Sequence, residues 1–536
     1  MALLESVADL TVAAALASRA TSSPEDPFLV FGNDVLTYGQ VEMRAEALAA
    51  SLAEFGVRSG DRVALVLPAW PEYVISLFAV AKLGAIVVPL NPRIVAPELQ
   101  FVLRQSQAAC AVVVETLDDV DYLELFEDLL PRLPDLRRVV TVGKEDLWYD
   151  DRIFQFEDAL SAGAGRDFDA PAVDPLEHTF ALLYTSGTMG KAKAVELSHS
   201  SLLAVAATTV RALGLDAYDR VIGVTGLFHA FGIGPGLLGT VLAGAAMVLQ
   251  ESPAVGETLD LIERHGVTVH YGVPPLLRAE LDEQRRRPRV VSSLRTGLVS
   301  GAALGAELLG ALRSELCPGL EVAYTVTETA ATVTMTVPGD PGEKRRHTVG
   351  RPLPGTELRV LGPDGTPLPG ESVGEIAVRG PGRMKGYYRQ PRLTADHLDP
   401  DGFVRTGDLG LLDEEGYLHL VGRRRDVIIH DGLSVYPLEV ESRILDHPAV
   451  HSTAVVGVPD RVRGEAIHAC VVPEEGAIVT PEEIRDWCAV TLAAYKIPDA
   501  VTFLEALPLT GTGKVRRQEL ARQLSAGTTR SADLEA

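Results

Sequence analysis

The chain has 536 residues, enough for roughly two to four domains. With 46% hydrophobic residues it can build large buried cores, and wholesale disorder is disfavoured. Its formal charge of −24 argues against nucleic acid, whose phosphates are held mainly by Lys and Arg. A small anionic ligand, which responds to a local field, remains open.

At the N-terminus, MALLESVADLTVAAALASRA carries Glu5 and Asp9 where a secretion signal would be basic, so it reads as an amphipathic first helix. Cys110, Cys317, Cys470 and Cys488 form no CxxC pair, which suits a reducing compartment and offers no metal-ligand spacing. No apolar span approaches ~20 residues unbroken. The nearest, 232–249, is Gly-rich and contains a proline. A cytoplasmic protein with no transmembrane segment is expected.

Residues 62–90 predict a strand (RVALVLP), a helix (EYVISLFAVAKLG) and a strand (AIVVPL). The strands are short, nearly continuous apolar runs, as when both sheet faces are covered. Such runs recur in AACAVVV (108–114), RVIGVT (220–225), GAAMVL (244–249), TVHYGV (268–273) and RTGLVS (295–300), with helical stretches such as ETLDLIERHG between them. This pattern predicts a doubly wound α/β arrangement with ligands at the carboxyl ends of strands. Beyond about residue 350, PDG (363–365) and DEEG (413–416) mark hairpins between short strands, EIAVRG and YLHLVG among them. After Gly422, STAVVGV, AIHACVV, a helix opened by Thr480-Pro481 and then VTFLE predict a small α+β unit. The expected fold class is α/β: a large N-terminal part of doubly wound sheets plus a β-rich subdomain, with a small mobile α+β C-terminal domain. The expected boundaries are 1–422 and 423–525, with a disordered tail over 526–536.

The stretch YTSGTMGKAKAV (184–195) has the hydroxyls, glycines and lysines of a phosphate loop, yet Lys191 is followed by alanine, unlike G-x-x-x-x-G-K-[ST]. Alone it reads equally well as a solvated turn. It is followed in order by GLFHAFG (226–232), AYTVTE (323–328), RTGD (405–408), GRRRDVIIHDGLSVYPLEVE (422–441) and LPLTGTGKVRR (507–517). Over roughly 25–525 this series resembles the adenylate-forming superfamily of acyl-CoA synthetases, luciferases and peptide-synthetase adenylation domains, closest in look to acyl-CoA synthetases.

The resemblance implies an AMP-forming acid–thiol ligase. It would use ATP and Mg²⁺ to activate a small organic acid as its adenylate, then pass the acyl group to coenzyme A or to a carrier-protein phosphopantetheine. Thr185, Ser186, Gly187, Thr188 and Gly190 would wrap the β- and γ-phosphates, with Lys193 adding a mobile charge. Glu328 would hold Mg²⁺, with Thr327 near the α-phosphate. Tyr324 and the backbone of Gly301 and Ala302 would flank adenine. Asp408 would accept the ribose hydroxyls, and Arg423 would reach ribose or phosphate. His229, Ala303 and Thr325 would line the acid pocket. Lys514 would touch the substrate carboxylate and the α-phosphate. The small domain would then swing about Arg425 and Asp426, opening a pantetheine tunnel past Gly432.

Each residue also has a plainer reading. Glu328 suits a helix cap, Asp408 an ordinary turn, Lys514 a solvated charge and His229 a packed ring. The basic run RRRPR (285–289) reads as a solvated helix end, with coenzyme A phosphates as its alternative partner.

Three departures from the family pattern stand out. Ala192-Lys193-Ala194 replaces PKG, and Met189 replaces a hydroxyl. SGAALGAEL (300–308) is one residue shorter than the familiar form, and Thr325 stands where YGxTE has glycine. The last two imply a compact acid rather than a long fatty chain. Other readings are a non-thiol acceptor, a non-carboxylic oxyacid such as nitrite, and a nucleotide-binding pseudoenzyme. Retention of Lys193, Glu328, Asp408, Arg423 and Lys514 speaks against the last.

Overall fold

Apolar runs become buried strands throughout the first two-thirds of the chain. Ala108–Val114 is buried at all 7 positions, as expected of a strand covered on both faces. The computed structural model describes residues 7–143, 151–185, 192–223, 226–251, 254–302, 304–509 and 515–532. Among these residues, two large sheets have eight and nine strands. In the first, Ile86–Pro89, Arg62–Val66, Ala108–Val114 and Arg138–Val142 run parallel as neighbours. Its far side closes with the antiparallel strands Thr179–Thr185, Lys193–Ser198 and Gly386–Tyr387. In the second, Ala246–Leu249, Arg220–Gly223, Val269–Gly272, Thr296–Val299 and Leu320–Val326 run parallel in that spatial order. Both are mixed sheets covered by helices, the α/β class read from the sequence.

The first helix spans Val12–Ser22, with the Thr11 side chain capping Ala14 N. Its leading amide, Val12 N, donates to His199 Nδ1 at 3.1 Å, far away in sequence. His199 opens the helix His199–Leu213 and is fully buried. Burial pushes this imidazole down to about 4.

The β-rich part is an antiparallel sheet of Glu357–Leu361, Gly374–Arg379, Val404–Leu412 and Leu418–Arg423, whose hairpins enclose the PDG and DEEG turns. The small unit follows, with Ile428–His430, Leu433–Val435, Val450–Asp460, Gly464–Pro473 and Ala500–Phe503 in one sheet. Its helix Pro481–Ala489 carries a capping box between Thr480 and Glu483. The final helix runs Arg517–Ala532, so helical backbone covers much of the stretch expected to be a disordered tail. The reason is local: ELARQL brings Leu520 onto an apolar patch with Ala454, Val456 and Cys470, and the helix propagates from that anchor. Among the described residues, no helix is long and apolar enough to cross a membrane.

Candidate active site

Two parallel strands of the nine-stranded sheet end side by side, Thr296–Val299 and Leu320–Val326. The chain leaves the first through Ser300 and Gly301, whose φ of +97° favours glycine. Ala302 follows and is exposed, while Ala303 lies outside the described residues. Across the gap, Ser300 Oγ and Thr325 Oγ1 share a hydrogen bond of 2.9 Å. The Thr325 side chain therefore spans the space between two strand ends.

Tyr324, one residue earlier, is buried and donates from its hydroxyl to Asp408 Oδ2 at 2.7 Å. Burial, with the Asp408 charge adding, holds the Tyr324 phenol well above its ordinary value, so it remains a donor. Asp408 lies directly opposite Arg423 across the hairpin, and Arg423 Nε donates to its Oδ1 at 2.9 Å. The carboxylate raises the Arg423 guanidinium in turn. Among the described residues each Asp408 oxygen thus has one partner, which leaves lone pairs able to accept two hydroxyls.

Glu328 sits in the 3₁₀ turn Thr327–Thr329 directly after Val326, and Thr327 opens that turn. Its Oε1 accepts from the Tyr387 hydroxyl at 2.8 Å. Lys193 begins the strand opposite Thr185, so these two residues flank the base of the loop between them. Ser186, Gly187, Thr188 and Gly190 lie outside the described residues. The Lys193 ammonium is 4.8 Å from the Tyr387 ring centroid. Burial lowers its pKa while Glu328 opposes the shift. Among the described residues, no three acidic, His or Cys side chains converge as a metal cage. One anchored carboxylate beside a hydroxyl nevertheless fits Mg²⁺, which is commonly held by one or two carboxylates together with substrate phosphates.

Tyr387 was not singled out by sequence reasoning. Its only signal was the GYY of MKGYYRQP, two tyrosines in a short loop-like stretch between Lys385 and Arg389.

His229 follows the strand Arg220–Gly223, which is separated from Thr296–Val299 by Val269–Gly272. It therefore stands two strands along from Ser300, with its ring against Phe228. Arg425 and Asp426 form the 3₁₀ turn Arg424–Asp426. Arg425 is exposed, and Asp426 lies 3.7 Å from Arg517. Gly432 and Asp431 make a two-residue hairpin loop with φ of +77° and +50°. An added Cβ at Gly432 would meet nothing within 4 Å, so the turn geometry itself demands the glycine. Lys514 lies outside the described residues. In the basic run, Arg285 pairs with Glu315, and Arg289 with Asp260 and Glu283. Those charges already have carboxylate partners, which counts against a phosphate-holding role.

Comparison with known proteins shows the family. The AMP-binding enzyme family matches residues 16–388, and its C-terminal domain family matches 439–514. Feruloyl-CoA synthase of Amycolatopsis sp is 35% identical over 508 residues, covering 94% of this chain and 97% of that protein. Salicyl-AMP ligase / salicyl-S-ArCP synthetase of Mycobacterium tuberculosis is 36% identical over 501 residues, covering 93% and 87%. The crystal structure of the anthranilate CoA ligase AuaEII in complex with anthranoyl-AMP superposes with a TM-score of 0.89 at 27% identity, covering 97% and 98%.

Proposed function

Because this chain belongs to the AMP-binding enzyme family and is an AMP-forming ligase of the acyl-CoA synthetase kind, we propose that the acid it activates is a compact aromatic carboxylic acid. The observation carrying this reading is the Ser300–Thr325 bond of 2.9 Å. It fills a space at the strand ends that the family motif leaves without a side chain. Likeness to proteins named for ferulate, salicylate and anthranilate supports the aromatic part.

In the first half-reaction a carboxylate oxygen of the acid bonds to the α-phosphorus of ATP, and the bond from that phosphorus to pyrophosphate breaks. Asp408 holds the ribose, positioned by Tyr324 and Arg423. Thr185, Ser186, Gly187, Thr188 and Gly190 would hold the departing pyrophosphate, with Lys193 as a point charge. Glu328 would hold Mg²⁺, which supplies charge neutralisation on the phosphates when bound. Thr327 lies beside it, towards the α-phosphate. Lys514 bridges the acid and the α-phosphate, and His229 lines the acid pocket. Most of the rate comes from positioning and charge, since little covalent chemistry falls to the protein. In the second half-reaction a thiolate attacks the acyl carbon and AMP leaves. A swing at Arg425–Asp426 precedes this step and brings the Gly432 turn to the thiol's path. Coenzyme A is the acceptor in this reading. A carrier-protein pantetheine is the second reading, favoured by the likeness to salicyl-AMP ligase / salicyl-S-ArCP synthetase.

The test is acid-dependent ATP–pyrophosphate exchange over benzoates, cinnamates and fatty acids of increasing length, for the native chain and Thr325→Gly. Benzoates or cinnamates should lead in the native chain. The glycine variant should shift kcat/KM towards bulkier acids by about tenfold, the scale of a methylene or so of pocket fit. A native preference for long fatty acids, or an unchanged ratio in the variant, would sink the reading.

A further inference from the structure

Lys193 and Glu328 come from different sheets. Lys193 starts a strand of the eight-stranded sheet, and Glu328 follows a strand of the nine-stranded one. One side chain touches both. Tyr387 lies on the edge strand Gly386–Tyr387, paired through Val195 with the strand that Lys193 opens. Its residue exposure is 3%. Its backbone amide donates to Thr394 Oγ1 at 2.9 Å, and the His397 ring meets its edge at 5.4 Å. With both backbone and ring fixed, its hydroxyl is committed to Glu328 Oε1 and its face to the Lys193 ammonium.

We propose that Tyr387 is a positioning residue that keeps the Lys193 ammonium and the Glu328 carboxylate apart and oriented before Mg·ATP arrives. The inference rests on the reading of Glu328 as the Mg²⁺ carboxylate and Lys193 as a phosphate charge. Opposite charges left free in a partly buried site pair with each other, and that pair would have to be broken for every turnover. An aromatic spacer prevents the collapse by offering each charge its own partner. The ring face attracts the cation, and the phenol donates to the anion. One carboxylate oxygen is thereby held in place while the other stays open towards the ligand.

The two contacts can be removed separately. Tyr387→Phe keeps the ring and deletes the hydroxyl, whereas Tyr387→Met, close in volume, removes both. Mn²⁺ affinity is read by water-proton relaxation in the presence of α,β-methylene-ATP, whose α-phosphorus cannot release pyrophosphate, so no turnover enters the measurement. Analogue affinity without metal is read by calorimetry, and folding by thermal melting. Tyr387→Phe should weaken Mn²⁺ about tenfold, the loss of one hydrogen bond to a charged group. Its metal-free affinity for the analogue should stay near native. Tyr387→Met should weaken both, and it serves as the second probe of the hydroxyl should the Phe variant fold poorly. Adding Tyr387→Phe to Glu328→Gln should cost nothing further in Mn²⁺ affinity, because the hydroxyl acts only through the carboxylate.

Native Mn²⁺ affinity in Tyr387→Phe, alongside a weakened Glu328→Gln, overturns the Tyr387 role and leaves the Glu328 reading standing. Native Mn²⁺ affinity in Glu328→Gln overturns that reading, and the Tyr387 proposal falls with it. Full additivity in the double variant also overturns the proposal.

Discussion

Between Arg423 and Arg424 the chain passes from one kind of structure to another. Arg423 meets Asp408 at 2.9 Å, and the same carboxylate receives a buried phenol at 2.7 Å. In the turn after it Arg424 reaches Glu375 at 3.1 Å, while Asp426 stands further off its partners, 3.6 Å from Arg425 and 3.7 Å from Arg517. The first group is fixed by strand register and burial. The second is a short exposed turn leading to a hairpin of three-residue strands. A nucleotide that stays bound through two half-reactions needs the first arrangement. A domain that changes position between them needs the second, because close-packed contacts would have to be broken at every swing.

Three substitutions probe this contrast. The largest effect is expected for Asp408→Asn, where the amide cannot accept from the Tyr324 hydroxyl, the Arg423 guanidinium and two ribose hydroxyls together. ATP–pyrophosphate exchange should lose about 100-fold in kcat/KM, the scale of one or two charge-assisted hydrogen bonds. Exchange at near-native kcat/KM would show that this cluster is structural only.

Arg425→Pro comes next. Proline fixes φ near −65° and removes a donor. Exchange should survive, while thioester formation measured in the same preparation falls about tenfold or more. Equal rates for both half-reactions would move the pivot away from this turn.

Gly432→Asn should have the smallest effect on folding, since asparagine tolerates positive φ and an added Cβ meets nothing within 4 Å. Stability should drop by about 1 kcal/mol or less. A selective fall in thiol transfer is then expected, with exchange intact. If neither changes, the glycine serves only the hairpin loop and the thiol passes elsewhere.

Much of the scaffold could be read beforehand because its chemistry is local. AACAVVV became Ala108–Val114, and ETLDLIERHG supplied most of the helix Val255–His265 together with its cap, Gly266. Thr480-Pro481 opened a helix as read, Pro481–Ala489, and the structure adds a capping box between Thr480 and Glu483. Asp408, Arg423 and Tyr324 lie in separate motifs, and the structure brings them into one hydrogen-bonded group. What stayed hidden depended on pairing between distant segments. Tyr387 matters through an edge strand that joins Lys193's sheet, and nothing in GYY reveals such a partner. The terminal helix Arg517–Ala532 is anchored through Leu520 on an apolar patch far upstream, a partner that the local sequence does not announce. At Gly432 the φ of +77° is a second reason for glycine, one that a turn between distant strand residues supplies.

The distant contact between Val12 N and His199 Nδ1 makes the first helix a proton-linked element. That amide needs an unprotonated acceptor, and burial holds the imidazole down to about 4, against about 6.5 for a solvated histidine. Between those values the unfolded chain takes up a proton that the folded one refuses, so stability rises with pH across the window and is lost on acidification. His178 nearby adds to the same shift. Acid should therefore act first on the seam between Val12–Ser22 and the helix His199–Leu213, ahead of the parallel cores. Hydrogen exchange at the amides of Val12 to Ser22 should speed up relative to those of Ala108–Val114 as pH falls from 7 towards 4.5, after correction for intrinsic rates. A constant ratio would mean that the N-terminal helix opens only with the whole domain.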